Sequence, residues 1–158
     1  MVAVQNGDMD AYAALYARWR DPLFRFLLRR TGAPGAAEDA LQDTWIRAWR
    51  HRSRYDGERP FRRWIYGIAA NAGHDAARPA RDVFTLPEEP GDPIGLRDLL
   101  VSALHALEPD DRRLLLLAVE GFEPAEVAEM LGVPAGTVRM RLSRARTRVR
   151  AALGNDDA

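Results

Sequence analysis

Two residue types are missing altogether from the 158-residue sequence: cysteine and lysine. Without cysteine there is no disulfide and no thiolate metal site. The three histidines, His51, His74 and His105, are scattered without ligand spacing. His51 lies in an arginine-rich stretch and reads as solvated rather than catalytic. No apolar run approaches the ~20 residues of a membrane span. The opening stretch from Met1 to Asp8 lacks the basic, apolar and small-residue sections of a secretory signal. No phosphate-cradling glycine loop, nucleophile constellation or metal cluster is found, so an enzyme is the weakest functional class. These absences together predict a cytoplasmic, non-enzymatic protein with no cofactor, no metal and no membrane insertion.

With lysine absent, all 23 basic residues are arginine, and they balance 23 acids to a net charge of zero. That average hides a pattern. Residues 1–81 hold 14 arginines against 9 acids, residues 82–111 hold 1 against 8, and residues 112–158 hold 8 against 6. Six arginines and no acid fall within 134–151. Arginine grips phosphates and guanine edges bidentately, which suits nucleic-acid work. A GC-rich genome explains the arginine bias equally well.

Helical periodicity dominates what is present. Tyr12, Leu15, Tyr16, Trp19, Leu23, Phe26 and Leu27 recur at three- and four-residue spacing, predicting a helix over about 9–31 capped by Asp8 or Asp10. The segment Thr31 to Gly35 reads as a stop and turn. A second helix is expected over 36–51, with Ala37, Leu41, Trp45, Ala48 and Trp49 inward and Glu38, Asp39, Gln42, Asp43 and Arg47 on the other face. Residues 52–60 read as a loop. A third helix over 60–77 would turn Phe61, Trp64, Ile65, Ile68 and Ala72 inward and end near Pro79. Residues 80–95, with Pro87, Pro90 and Pro93 among Glu88, Glu89 and Asp92, form the expected solvated linker. Four shorter helices follow, at about 96–107, 110–120, 124–131 and 135–152. The fold class is therefore all-α: two small helical domains, 1–79 and 96–153, an acidic proline-rich linker at 80–95, and a tail at 154–158.

Residues 124–142 have the pattern of a helix-turn-helix. Ala128 is small where two helices must cross, and Gly132 supplies the positive φ that ends the first of them. Val127, Leu131, Val133, Val138 and Leu142 fill the wedge between the helices. The last helix is then free to enter a major groove. Its face away from the core offers Thr137, Arg139, Met140, Ser143, Arg144 and Thr147, with Arg141, Arg146, Arg148 and Arg150 on the flanks. Base edges are read by the helix start and phosphates are held by flanking arginines. A solvated basic helix in an ordinary bundle is the plainer alternative, and a helix-turn-helix alone does not separate a repressor from any other DNA reader.

Taken together, the two halves resemble the extracytoplasmic-function sigma factors, the smallest group of the main bacterial sigma family. The resemblance runs from about residue 8 to 153. Ala11 to Tyr16 is similar to the family's opening helix, and the segment from Ala37 to Trp49 to its most recognisable one. Phe61 to Asn71 resembles the helix after the −10 recognition loop, and Leu107-Glu108-Pro109 with the helix-turn-helix resembles the −35-reading domain.

What the resemblance implies is a transcription initiation factor. Its partners would be core RNA polymerase (the beta-prime clamp and the beta flap), promoter DNA and an anti-sigma factor. Asp39, Gln42, Asp43 and Arg47 would contact the clamp, although a solvated helix face is what those residues suggest by themselves. Arg54, Tyr55, Arg59, Phe61, Arg62, Arg63 and Asn71 would bind the −10 element, where a melted strand needs aromatics and cations beside a shaped loop. Trp64 belongs to the same mixture or to the core. Thr137, Arg139, Met140, Arg141, Ser143, Arg144, Arg146 and Arg148 would bind the −35 element. Met140 and Ser143 depart from the family's usual residues, so the −35 preference should be this protein's own. Glu123-Pro124, Gly73-His74 and Ala77-Arg78-Pro79 also depart from the common pattern. The chain ends soon after the last helix, so no added regulatory domain is expected. A regulator acting without polymerase and a sigma mimic that titrates an anti-sigma factor are the competing readings.

Overall fold

The structure, a computed structural model, describes residues 1–75 and 95–154. The chain divides into two compact units, Met1–Arg78 and Pro79–Ala158. Except for Gly95, the expected linker lies outside the described residues, as do the expected end of the third helix near Pro79 and residues 155–158. All regular structure among the described residues is helical.

The first unit holds α1 (Val2–Gln5), α2 (Met9–Thr31), α3 (Pro34–Arg50), a turn of 3-10 helix at Arg52–Arg54, and α4 (Phe61–Asp75). The Asp8 carboxylate caps α2 by accepting from the Ala11 N–H at 3.0 Å. Gly32, at φ 77°, ends it in the left-handed region, which costs a glycine nothing. Helix α3 begins two residues earlier than its apolar pattern suggests, because Pro34 is a good first helical residue rather than part of the turn. Its alanines Ala37, Ala40 and Ala48 are buried, letting α2 and α4 approach closely. Leu23, Phe26 and Leu27 of α2 meet Ile65, Tyr66 and Ala69 of α4 in the same core. Each fully buried large apolar side chain of this kind stabilises the fold by about 1.5–3 kcal/mol.

Three features depart from expectation. Helix α1 was unforeseen; it buries Val4 to 1% exposure. On α4, Tyr66 takes the central place, ringed edge-on by Trp19 and Phe26, while Phe61, Trp64 and Ile68 are only half-buried. Arg30 is buried and donates to the carbonyls of Ala69 and Ala70, tying the end of α2 to α4.

The second unit holds α5 (Leu96–His105), α6 (Pro109–Val119), α7 (Pro124–Leu131) and α8 (Ala135–Gly154). Pro109 and Pro124 each start a helix, where a missing N–H costs nothing. Helices α5, α6 and α7 all pack on α8. Leu107, Leu114, Leu117, Val127, Val138, Leu142 and Ala145 form the core. Arg112 closes the end of α5, donating to the carbonyls of Leu104, His105 and Leu107 at 2.9, 3.0 and 3.2 Å. Burial lowers its pKa from the ordinary arginine value. His105 is lowered too, first by burial and then by the Arg112 charge.

Candidate functional site

Helices α7 and α8 form the helix-turn-helix. Gly132 stands at φ 66° and its N–H closes on the Ala128 carbonyl, turning the chain out of α7. Val127, Ala128, Val138 and Leu142 are buried between the helices as expected; Leu131 and Val133 are half-buried at the rim. The departure at Glu123 has a structural answer: the Glu126 carboxylate accepts from the Glu123 N–H at 2.9 Å, so the cap is made without a hydroxyl.

The inward face of α8 carries Val138, Leu142 and Ala145. Opposite it, Arg139, Met140, Ser143, Arg144, Arg146, Thr147, Arg148 and Arg150 are exposed, and Thr137 is half-buried. Met140 is 48% exposed, a large apolar side chain held out from a helix. The Arg144 guanidinium donates to its sulfur at 3.4 Å.

Arg141 stands apart from this set. Its Nε–H donates to Asp111 Oδ1 at 2.7 Å, and Nη1 lies 3.5 Å from Asp110. The Asp111 side chain is only 11% exposed and that of Arg141 32%. Arg148 lies 4.0 Å from the second Asp111 oxygen. Asp110 and Asp111, with no local pattern to mark them, are the partners that the fold brings to Arg141. They hold α8 to the first turn of α6.

In the first unit, the segment around 52–64 gathers aromatics and arginines. Tyr55, Phe61 and Trp64 touch one another, with centroids 5.3–6.1 Å apart. Trp19 extends the group to α2 at 6.0 Å from Phe61. The Tyr55 hydroxyl donates to the Arg59 carbonyl at 2.5 Å, and Arg59 pairs with Asp56 at 3.5 Å, which shapes the loop. Burial and the nearby Asp56 charge raise the Tyr55 pKa, so its hydroxyl stays protonated. Arg62 lies over the Tyr66 ring at 5.2 Å, and Arg52 over Trp49 at 4.1 Å. Gln5 of α1 donates to the Tyr55 carbonyl at 2.9 Å, fixing the loop from outside. Arg54 and Asn71 are exposed, but Asn71 lies about 15 Å farther along α4 than Phe61.

Helices α2 and α3 enclose a groove of about 730 Å³, lined by Met9, Tyr12, Tyr16, Gln42, Trp45 and Ile46 among others. Met9, Tyr16 and Ile46 are exposed apolar side chains. Its charged lining is mixed, with Glu38 and Asp39 alongside Arg20 and Arg50. Tyr12 fixes the groove floor, donating to the Trp45 carbonyl at 2.6 Å and packing edge-on against Trp45 and Trp49. Burial, aided by Tyr16, pushes its pKa up to about 12. Asp39 and Gln42 are exposed; Asp43 and Arg47 pair with each other at 2.8 Å one turn along.

Comparison with known proteins decides what such a pair of units belongs to. Residues 15–82 match the family Sigma-70 region 2, and residues 97–149 match Sigma-70, region 4. The RNA polymerase sigma factor CarQ of Myxococcus xanthus is 34% identical, over 98% of this chain and 95% of its own. The ECF RNA polymerase sigma factor SigM of Mycobacterium tuberculosis is 32% identical, over 94% of this chain and 80% of its own. The chain belongs to the extracytoplasmic-function (ECF) sigma factors.

A sigma factor joins core RNA polymerase and directs initiation at promoters, as a non-enzymatic factor. Among solved structures, this sigma factor is similar to CnrH in the complex of CnrH with the cytosolic domain of CnrY, at 28% identity and a TM-score of 0.77. That match covers 98% of this chain and 95% of CnrH. None of the described helices is long and apolar enough to cross a membrane.

Proposed function

We propose that the three surfaces divide the work of initiation among themselves in the cytoplasm. Asp39, Gln42, Asp43 and Arg47, beside the α2–α3 groove, dock on the beta-prime clamp. The segment from Arg54 to Arg63 captures the melted −10 strand, its cations steering the strand and its aromatics stacking on bases. Asn71, farther along α4, contacts the same strand beyond the loop. Helix α8 reads the −35 element, with Arg139, Met140, Ser143 and Arg144 at base edges, Thr137 at the helix start and Arg146 on the backbone. Arg141 serves chiefly by holding α8 to α6.

The observation that carries this reading is the outward face of α8. While Val138, Leu142 and Ala145 seat α8 in the core, its outer face holds Met140 and Arg144 out to solvent, in a shape for entering a groove. Purified core polymerase plus this protein should produce run-off transcripts from a promoter selected out of a library; none above core alone would overturn the reading. Replacing Asp39 and Gln42 together should abolish run-off while leaving binding of −35 duplex unchanged.

We further propose that an anti-sigma factor covers the groove when polymerase does not. Exposed Met9, Tyr16 and Ile46 form an apolar seat, with Glu38, Asp39, Arg20 and Arg50 along the same groove, suited to an amphipathic helix that carries charges of both signs. CnrH, with its similar fold, is found with the cytosolic domain of CnrY. Pull-down from the native cell should recover such a protein besides polymerase; polymerase alone would count against it.

A further inference from the structure

The arginines of α8 are not equivalent, and the structure sorts them. At about 100° per residue, Arg139, Ser143, Arg146 and Arg150 project into one sector of roughly 60°. They border a cleft of about 310 Å³ whose far wall is Pro124, at the start of α7. Arg139, Arg146 and Arg150 are exposed and have no acidic partner among the described residues. Arg141 and Arg148 project about 180° away, toward Asp110 and Asp111, and both are engaged there. One flank of the helix thus carries arginines without an acidic partner among the described residues, while on the other Arg141 is tied to Asp111 and Arg148 lies 4.0 Å from the same carboxylate.

We propose that α8 holds the DNA backbone along the first flank only: Arg139, Arg146 and Arg150 form a phosphate-binding track, and Arg141 and Arg148 contact no phosphate. This rests on the reading of α8 as the −35 helix and assigns its contacts. Guanidinium groups bind phosphate oxygens bidentately and strongly, and the Ser143 hydroxyl at the edge of the cleft adds a donor. The Thr147 hydroxyl is already spent on the Ser143 carbonyl at 3.0 Å, so Thr147 serves as cleft wall. Pro124 itself presents no N–H to the cleft, whose charged donors are the three arginines. Arg139 accordingly moves from base reader to backbone anchor, which leaves Met140 and Arg144 to discriminate sequence.

Counterion release separates the two flanks. Each phosphate contact adds about 0.9 to the slope of log affinity against log salt. The measurement is KCl titration of promoter-duplex binding by polymerase reconstituted with the full chain. R146Q and R150Q should each flatten the slope by about 0.9, and the double variant by about 1.8. Both should weaken matched and scrambled −35 sequences by the same factor. R148Q should leave the slope at the wild-type value. Unchanged slopes for R146Q and R150Q, or an equal loss for R148Q, would overturn the assignment. Failure of the sigma reading would show separately, as no promoter-specific complex above core alone. The same variants are then read with the full chain alone on −35 duplex, where the same ordering is expected.

Discussion

Removing the Arg141 side chain should hurt the second unit more than removing its partner. In R141Q the Asp111 carboxylate, 11% exposed, keeps only Arg148 at 4.0 Å. Breaking a fully buried ion pair by deleting one partner costs about 3–5 kcal/mol. Arg141 is 32% exposed, which screens the pair and reduces the loss to about 2 kcal/mol. In D111N the arginine still has Asp110 at 3.5 Å and can turn to water, so about 1 kcal/mol is expected. For a unit of this size each kcal/mol lowers Tm by roughly 4–8 °C, so R141Q should melt roughly 8–16 °C lower. Calorimetry on the full chain, with D111N, R141Q and the double variant, gives the coupling directly. The double variant should be more stable than R141Q alone, because no charge is left stranded. A Tm for R141Q within about 2 °C of wild type, or a coupling under about 0.5 kcal/mol, would refute the reasoning.

Other perturbations test the frame at separate points. Gly132 has φ 66° and open space around a would-be Cβ, so G132A should cost about 1–2 kcal/mol of backbone strain alone; G132N should cost less, as chemical denaturation can measure. Tyr12 has its pKa raised to about 12 against 10.0 in the unfolded chain. The native state therefore holds the proton longer, and stability falls as pH rises from 10 toward 12. Y12F should remove that slope in alkaline denaturation of the first unit. His105 is lowered from 6.5, so the unfolded chain binds its proton first and stability falls as pH drops below 6.5. NMR titration of its ring protons should give a midpoint under 6.5.

Local signals were legible wherever chain neighbours alone decide the outcome. The cap at Asp8, the stop at Gly32 and the turn at Gly132 follow from local hydrogen bonding and backbone sterics within one turn of helix, whereas Pro34 reads as part of the turn and instead starts α3. The all-α class is legible too, since three- and four-residue spacing excludes alternation. What escaped depends on distant partners. Arg141 reads as one more solvent-facing arginine until Asp111, thirty residues earlier, is placed beside it. Tyr66 carries a polar hydroxyl that does not mark it as core, yet Trp19 and Phe26 pack against its ring. Apolar spacing points Phe61 and Trp64 inward while the −10 reading points them out, and the fold holds both half-buried against one another and Tyr55. Helix α1 is a single turn, too short for any period to show.

That short helix changes what an edit at the amino terminus does. The Gln5 amide grips the Tyr55 carbonyl across fifty residues of chain, and Val4 is sealed into the core. Replacing Gln5 or Val4 is therefore in effect a mutation of the aromatic loop made without touching its sequence.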